Sequence, residues 1–327
     1  MHGSDPSQLL DRQYFMETLF RLIRVPTEVP LGPETLMEPD DPKLVHYVQE
    51  VIRPELAAIG ASDVTSAPLD QLIVRLGQQD SDRSLLVMAY TPTQHNNLMR
   101  DPFRPRVADA ATADGGVEPC VFGQGISQNK LHMAAMLTVL KALVESGTRL
   151  SGELVFAVNN EGRSSHACST AILSALPRLP KYGLILIGTG LDISAGNRGR
   201  VDVNVRVKGR AAHSSSPEKG LSAIDGAREV MNRVAGLKLG GNHPLLGGRH
   251  IIPYQVTYWP LAPHTLPEQA SIRFDRRLLP GDDIDAAVEE VRSTIGDMRP
   301  FEVEVERGVH MLPAVVDAGS EIITRLK

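Results

Sequence analysis

Val201-Asp202-Val203-Asn204-Val205-Arg206-Val207-Lys208 alternates apolar and polar residues without a break. Successive side chains of a strand point to opposite faces, so this stretch reads as a strand that buries its valines and wets its other face. Working outward, Leu221 to Val234 has helical spacing, Ile251 to Tyr258 reads as a strand, and Ala270, Ile272 and Phe274 mark the inner face of another. Ile284, Val288, Val291 and Ile295 share one helical stripe, and Phe301, Val303 and Val305 alternate with Glu302, Glu304 and Glu306. The order β-α-β-β-α-β is the split βαβ, ferredoxin-like unit. Strands wet on one side predict an open sheet with helices on the other. The unit is expected over residues 199–308.

Upstream, the pattern changes to helices alternating with short, continuously apolar runs. Asp11 to Arg24 carries Tyr14, Phe15, Leu19, Leu22 and Ile23 at helical spacing, and Pro26 stops it. Asp41 is an N-cap with Pro42 at the first helical position, and Val45, Val48, Ile52, Leu56 and Ile59 follow on one face. Leu72–Leu76, Leu85–Met88, Leu154–Val158 and Leu184–Ile187 read as strands buried on both faces, with a long helix from Lys130 to Ser146 between the second and third. Strands alternating with helices predict an α/β layered domain. Val309 to Lys327, with Ile322, Ile323 and Leu326, reads as a return to this domain. The expected organisation is therefore residues 1–198 and 309–327 as one α/β domain, short of sequence at its C-terminal end, interrupted by 199–308.

The 327 residues carry a formal charge of −5, with 42% hydrophobic and 22% charged residues, which is globular composition. Cys120 and Cys168 are the only cysteines, too few for a disulfide framework or a cysteine-zinc module. The mild, dispersed acidity argues against a nucleic-acid partner. No apolar run approaches the roughly 18 residues of a membrane helix. The polar start, Met1 to Gln8, gives the expectation of no leader and a cytoplasmic protein.

The sharpest local signature is Lys208-Gly209-Arg210-Ala211-Ala212-His213-Ser214-Ser215-Ser216-Pro217-Glu218-Lys219-Gly220. It is preceded by Asn197-Arg198-Gly199-Arg200 and followed by Phe274-Asp275-Arg276-Arg277-Leu278-Leu279-Pro280-Gly281. With Asp101-Pro102-Phe103, Gly123-Gln124-Gly125, Gly152-Glu153-Leu154-Val155-Phe156 and Glu161-Gly162, these motifs make the chain resemble the M20 family of metallopeptidases and amidohydrolases over nearly its whole length. The aminoacylase, acetylornithine deacetylase and succinyl-diaminopimelate desuccinylase types belong to that group. The resemblance implies a zinc-peptidase-like three-layer α/β domain with an inserted ferredoxin-like lid and a homodimer formed through residues 199–308. It also implies hydrolysis of a small amide or N-acyl amino acid by two zinc ions and a glutamate base.

The positions that would carry this chemistry are largely substituted. The family's His-x-Asp falls on Ala89-Tyr90-Thr91, its bridging aspartate on Gln128, and its glutamate pair on Asn160-Glu161. The next acidic ligand falls on Gly188-Thr189, and the final histidine has no counterpart before Lys327. A neutral amide cannot bridge two cations, Asn160 cannot serve as a base near neutral pH, and zinc sites use three or four protein ligands. No metal-ligating set is assigned; zinc is the family's cofactor, and of its ligands only Glu161 is kept. His95, Glu161 and His166 could form a relocated mononuclear site, while His132 sits beside Met133 and Met136 on a helix face. Cys120 and Cys168 read as structural.

On the inserted unit, the resemblance places His213 where the family polarises the scissile carbonyl. His264 stands at a position usually held by Asn, and Arg277 where a guanidinium faces a substrate carboxylate. Gln128, His264, Arg277, His95 and His166 are the candidate substrate-binding residues; Glu161, His213 and Asn160 occupy catalytic positions. Three functions follow: a hydrolase with a degraded or relocated metal site, a non-catalytic ligand-binding or scaffold homologue, or a metal-independent reaction using His213 and Glu161.

Overall fold

The computed structural model describes residues 9–30, 37–79, 82–95, 98–112, 115–162 and 165–327. The polar start, Met1 to Gln8, lies outside the described residues. The chain divides into two compact units, Met1–Asp192 and Ile193–Lys327.

The first unit opens with α1 (Arg12–Ile23), where the Asp11 carboxylate accepts from Tyr14 N. Asp41 does the same for Lys43 N, with Pro42 at the first position of α2 (Pro42–His46). This helix widens into a π-helical stretch, Tyr47–Ile52, before α3 (Arg53–Ala58). Pro54 accounts for the widening: it offers no N–H, and its ring crowds the carbonyl four residues back.

The elements that follow are β1 (Val64–Ala67), β2 (Gln71–Gly77), β3 (Ser84–Tyr90), β4 (Arg106–Ala111), β5 (Val117–Phe122), α4 (Leu131–Glu145), β6 (Glu153–Asn159), α5 (Ala167–Ala175) and β7 (Tyr182–Leu186). Five strands form one sheet in the order β1-β2-β6-β3-β7, with β3 parallel to both β6 and β7. Leu72, Val74, Val87, Ala89, Phe156 and Val158 face α1, α4 and the Tyr47–Ala58 helix. Ile73, Leu86, Met88, Val155 and Ala157 face Ile172 of α5. Both faces are covered, which is why these strands read as continuous apolar runs. β4 and β5 form a separate antiparallel hairpin that the sequence pattern did not reveal, because Val107 and Val117 are exposed.

The second unit contains β8 (Gly196–Asn197), β9 (Gly199–Lys208), β10 (Ala212–His213), α6 (Ala223–Ala235), β11 (Asn242–His243), β12 (Gly247–Gly248), β13 (Ile251–Trp259), β14 (Thr265–Leu266), β15 (Gln269–Leu278), α7 (Ile284–Ile295), β16 (Glu302–Met311), β17 (Ala314–Val315) and α8 (Glu321–Leu326). Its main sheet has the order β13-β15-β9-β16 and is antiparallel throughout. Val201, Val203, Val205, Val207, Ile272 and Phe274 pack beneath α6 and α7. This is the ferredoxin-like arrangement expected from the alternation.

Residues 309–327 depart from the expected return to the first unit. β16 runs on to Met311, Ala314 pairs with Asn197, and Val316 N donates to Ala195 O at 2.7 Å. These main-chain bonds hold the segment in the second unit.

Candidate functional site

Parallel strands β3, β6 and β7 end on one edge of the first sheet, the edge where open α/β sheets present their functional groups. Tyr90-Thr91, Asn159-Asn160-Glu161 and Gly188-Thr189 leave the sheet there. The positions that the resemblance assigns to metal ligands are thus gathered at one edge of the sheet.

Thr91, Asn159 and Asn160 are 0% exposed. Thr91 Oγ1 donates to Asn160 Oδ1 at 2.7 Å. Asn160 Nδ2 donates to Leu69 O and Asp70 O, both at 3.2 Å, and its backbone N–H donates to Gln71 Oε1 at 3.3 Å. Leu69 and Asp70 have φ of 65° and 56°, so the amide secures a turn in the left-handed region that side chains rarely adopt. Asn160, where the resemblance leads one to expect a base, is therefore a staple with its donors and acceptor engaged.

Glu161 is engaged in the same way. Oε1 accepts from Ser165 N at 3.1 Å and Ser165 Oγ at 3.2 Å, and Oε2 accepts from Cys168 N at 3.1 Å. The carboxylate caps the entry to α5, where helix donors lack intrahelical partners. Its charge also acts on its surroundings. Burial, then Glu161, pushes the Cys168 thiol up to about 12, which makes that cysteine inert as a nucleophile. The same two causes raise Tyr90.

Gln128 Oε1 accepts from Gln94 N at 3.2 Å. Beside it, Asn129 Nδ2 donates to Thr91 O at 2.8 Å and Pro92 O at 2.6 Å. Lys130 is buried, donates through Nζ to Leu22 O at 2.8 Å and to Val25 O, and lies 4.5 Å from the centre of the Tyr47 ring. Burial lowers its pKa to about 7. Gly188 leaves no room for an acidic ligand: a Cβ there would lie 2.2 Å from Ser127 O.

This donor set does not fit a pair of zinc ions. It is neutral except for Glu161, whose oxygens are already bonded to donors. His95 is exposed and His166 takes a left-handed conformation (φ 63°) at the N-cap of α5. Among the described residues no group of three or more His, Cys, Asp or Glu is placed to hold a metal ion. The relocated site from His95, Glu161 and His166 is therefore not assembled, because the carboxylate is turned into the α5 turn instead. His132 Nδ1 is buried without a hydrogen-bond partner.

In the second unit, β10 pairs with β14 and sets the His213 ring 6.2 Å from that of His264. Ser215 N donates to His213 Nδ1 at 3.2 Å, and Ser215 Oγ lies 2.8 Å from the same atom. A backbone N–H can only donate, so Nδ1 is the acceptor and neutral His213 carries its proton on Nε2. Arg277 lies on the wet face of the sheet, with Nη2 donating to Asp275 Oδ2 at 2.8 Å.

Comparison with known proteins bears on both units. Residues 195–300 match the M20 peptidase dimerisation domain. YgeY of Escherichia coli is 22% identical over 262 residues, covering 78% of this chain and 61% of its own length. The chain spans less than two thirds of the length of the curated relatives it matches. Among solved structures, the dipeptidase Dug1p of Saccharomyces cerevisiae superposes with a TM-score of 0.72 at 13% identity, covering 98% of this chain and 81% of that one. The M20 metallo-carboxypeptidase Sso-CP2 of Sulfolobus solfataricus gives 0.70 at 14% identity, covering 96% and 82%. No helix among the described residues is long and apolar enough to cross a membrane. Residues 195–300 thus match the M20 peptidase dimerisation domain, and the fold is that of the M20 peptidases.

Proposed function

We propose that this chain is a binding member of the family, which holds a small anionic amide or N-acyl amino acid without two-zinc hydrolysis. One observation carries the reading: Asn160 and Glu161, the pair that would supply base and ligand, are committed to hydrogen bonds that hold the Leu69-Asp70 turn and the start of α5. Reclaiming either side chain for a metal would strand buried backbone donors or acceptors, at about 1–3 kcal/mol each.

The binding protein is a homodimer through the second unit. β13 is an edge strand whose Ile252, Tyr254, Val256, Tyr258 and Trp259 are 45–61% exposed. A long apolar edge left bare is an aggregation site, and antiparallel pairing with a second β13 would cover it. The opposite edge, β16, carries Glu302, Glu304 and Glu306 and protects itself by charge.

The test is amine release from a panel of N-acyl amino acids and dipeptides, with and without added zinc, alongside ligand-induced thermal shifts. The reading expects a raised melting temperature and no release under either condition. Zinc-stimulated release that a chelator abolishes would return the chain to the hydrolases.

A further inference from the structure

Four buried side-chain oxygens of the first unit have no hydrogen-bond partner among the described residues: Thr27 Oγ1, Glu28 Oε2, Thr93 Oγ1 and Asn129 Oδ1. Buried polar atoms are nearly always paired, so four of them in one neighbourhood need a cause. The main chain makes them neighbours. Thr93 N donates to Thr27 O and Val29 N donates to Thr93 O, both at 2.9 Å, which pairs Glu28 with Thr93 in parallel. Residues directly paired on parallel strands project from one face, and Thr27, one residue earlier, projects from the other. Asn129 is tied to the same crossing, because its Nδ2 donates to Thr91 O and Pro92 O. Gly125, at φ 85°, leaves the space beside them open. A Cβ there would lie 2.6 Å from Thr93 Cγ2 and 3.0 Å from Asn129 Oδ1.

The chemistry of the three oxygens on this face asks for a positive charge. Thr93 and Asn129 are 1% and 4% exposed. The two bonds from Nδ2 fix the Asn129 amide, so its Oδ1 can only accept. The Glu28 carboxylate accepts from Lys43 Nζ through Oε1 at 2.7 Å and keeps Oε2 buried. Lys130 does not serve these oxygens: its Nζ donates to Leu22 O and Val25 O beside the Tyr47 ring. Its ammonium nevertheless feels the charge of Glu28. A divalent ion would meet that ammonium with a single carboxylate to hold it, already shared with Lys43. Carboxylate, amide and hydroxyl oxygens are hard donors that suit no thiophilic or imidazole-seeking metal.

We propose that Glu28 Oε2, Thr93 Oγ1 and Asn129 Oδ1 hold one alkali-metal cation, which locks residues 27–29 against residues 91–93. The locked loop leaves β3 through Thr91, so the ion steadies one side of the site edge described above. None of the three residues stands at a position that the resemblance assigns to zinc.

Thermal melts of the full chain in sodium, potassium or choline chloride, with chelator throughout and ionic strength held at about 0.2 M, keep screening constant and vary only the cation. An ion at about ten times its Kd raises the folding constant about tenfold, so the melting temperature in sodium or potassium is expected to exceed that in choline by roughly 3–5 °C. Thr93→Val keeps the shape and removes one ligand, and Glu28→Gln removes the charge. Each is expected to cut the rise to less than about a third. The quantity read is a difference between salts, so a general loss of stability does not imitate it. If Glu28→Gln fails to fold by circular dichroism, Thr93→Val alone decides. Thr27→Val, on the opposite face, is expected to keep the whole rise. Equal melting temperatures of the parent in all three salts would overturn the site and leave a buried water as the partner of these oxygens. A rise that survives Thr93→Val, or one that Thr27→Val abolishes, would overturn it as well.

Discussion

Glu161→Gln separates a helix cap from a metal ligand. In the structure its carboxylate accepts three hydrogen bonds, from Ser165 N, Ser165 Oγ and Cys168 N. Glutamine retains one acceptor oxygen and turns an amide NH₂ against one of the two backbone donors. A hydrogen bond to a charged group contributes about 1.5–3 kcal/mol, and a negative charge at a helix start about 0.3–1 kcal/mol. Losing the charge and one bond should therefore cost about 2–4 kcal/mol. For a unit of this size that is a fall in melting temperature of roughly 4–16 °C. Urea unfolding followed by circular dichroism, in chelator throughout, measures it, with m unchanged. A variant within about 0.5 kcal/mol of the parent in chelator, but destabilised relative to it once zinc is added, would refute the cap and restore the ligand.

Lys130 gives a pH signature. Its folded pKa is lowered to about 7 by burial, so between pH 7 and the ordinary lysine range the unfolded chain binds more protons and stability rises with pH. From pH 7 to 9 the parent should gain about 2 kcal/mol relative to Lys130→Met, and parallel denaturation profiles would contradict this. Val256→Asp with Tyr258→Asp should convert a dimer to a folded monomer in sedimentation equilibrium; an unchanged mass would place the interface elsewhere. Gly188→Ala should lower the melting temperature, because the added methyl meets Ser127 O; a neutral result would show that the position has room for a ligand.

Much of the architecture is legible in the residue pattern because burial writes a period into the chain. The unbroken apolar runs at Leu72, Leu85 and Leu154 are strands covered on two faces, and the alternation from Val201 to Lys208 is a strand covered on one. The β4–β5 hairpin has no such period, since its valines face outward. At the site, the resemblance gives the positions where acids are expected but not what the residues standing there bond to. The partners of Asn160 at Leu69 and Asp70 lie 91 and 90 residues upstream. The partners of Glu161 depend on a tight turn into α5. Residues 309–327 read as a return to the first unit because their apolar residues have no partner in the local pattern. Their main-chain pairing with Ala195 and Asn197 appears only in three dimensions.

The decisive quantity is zinc bound per chain after chelation, dialysis and re-addition of the metal, read by elemental analysis and by calorimetric titration. The neutral residues around Asn160, with its own amide fully hydrogen-bonded, predict no stoichiometric zinc and no binding heat at micromolar metal. One or two zinc ions held tightly per chain, and lost in Glu161→Gln, would contradict it.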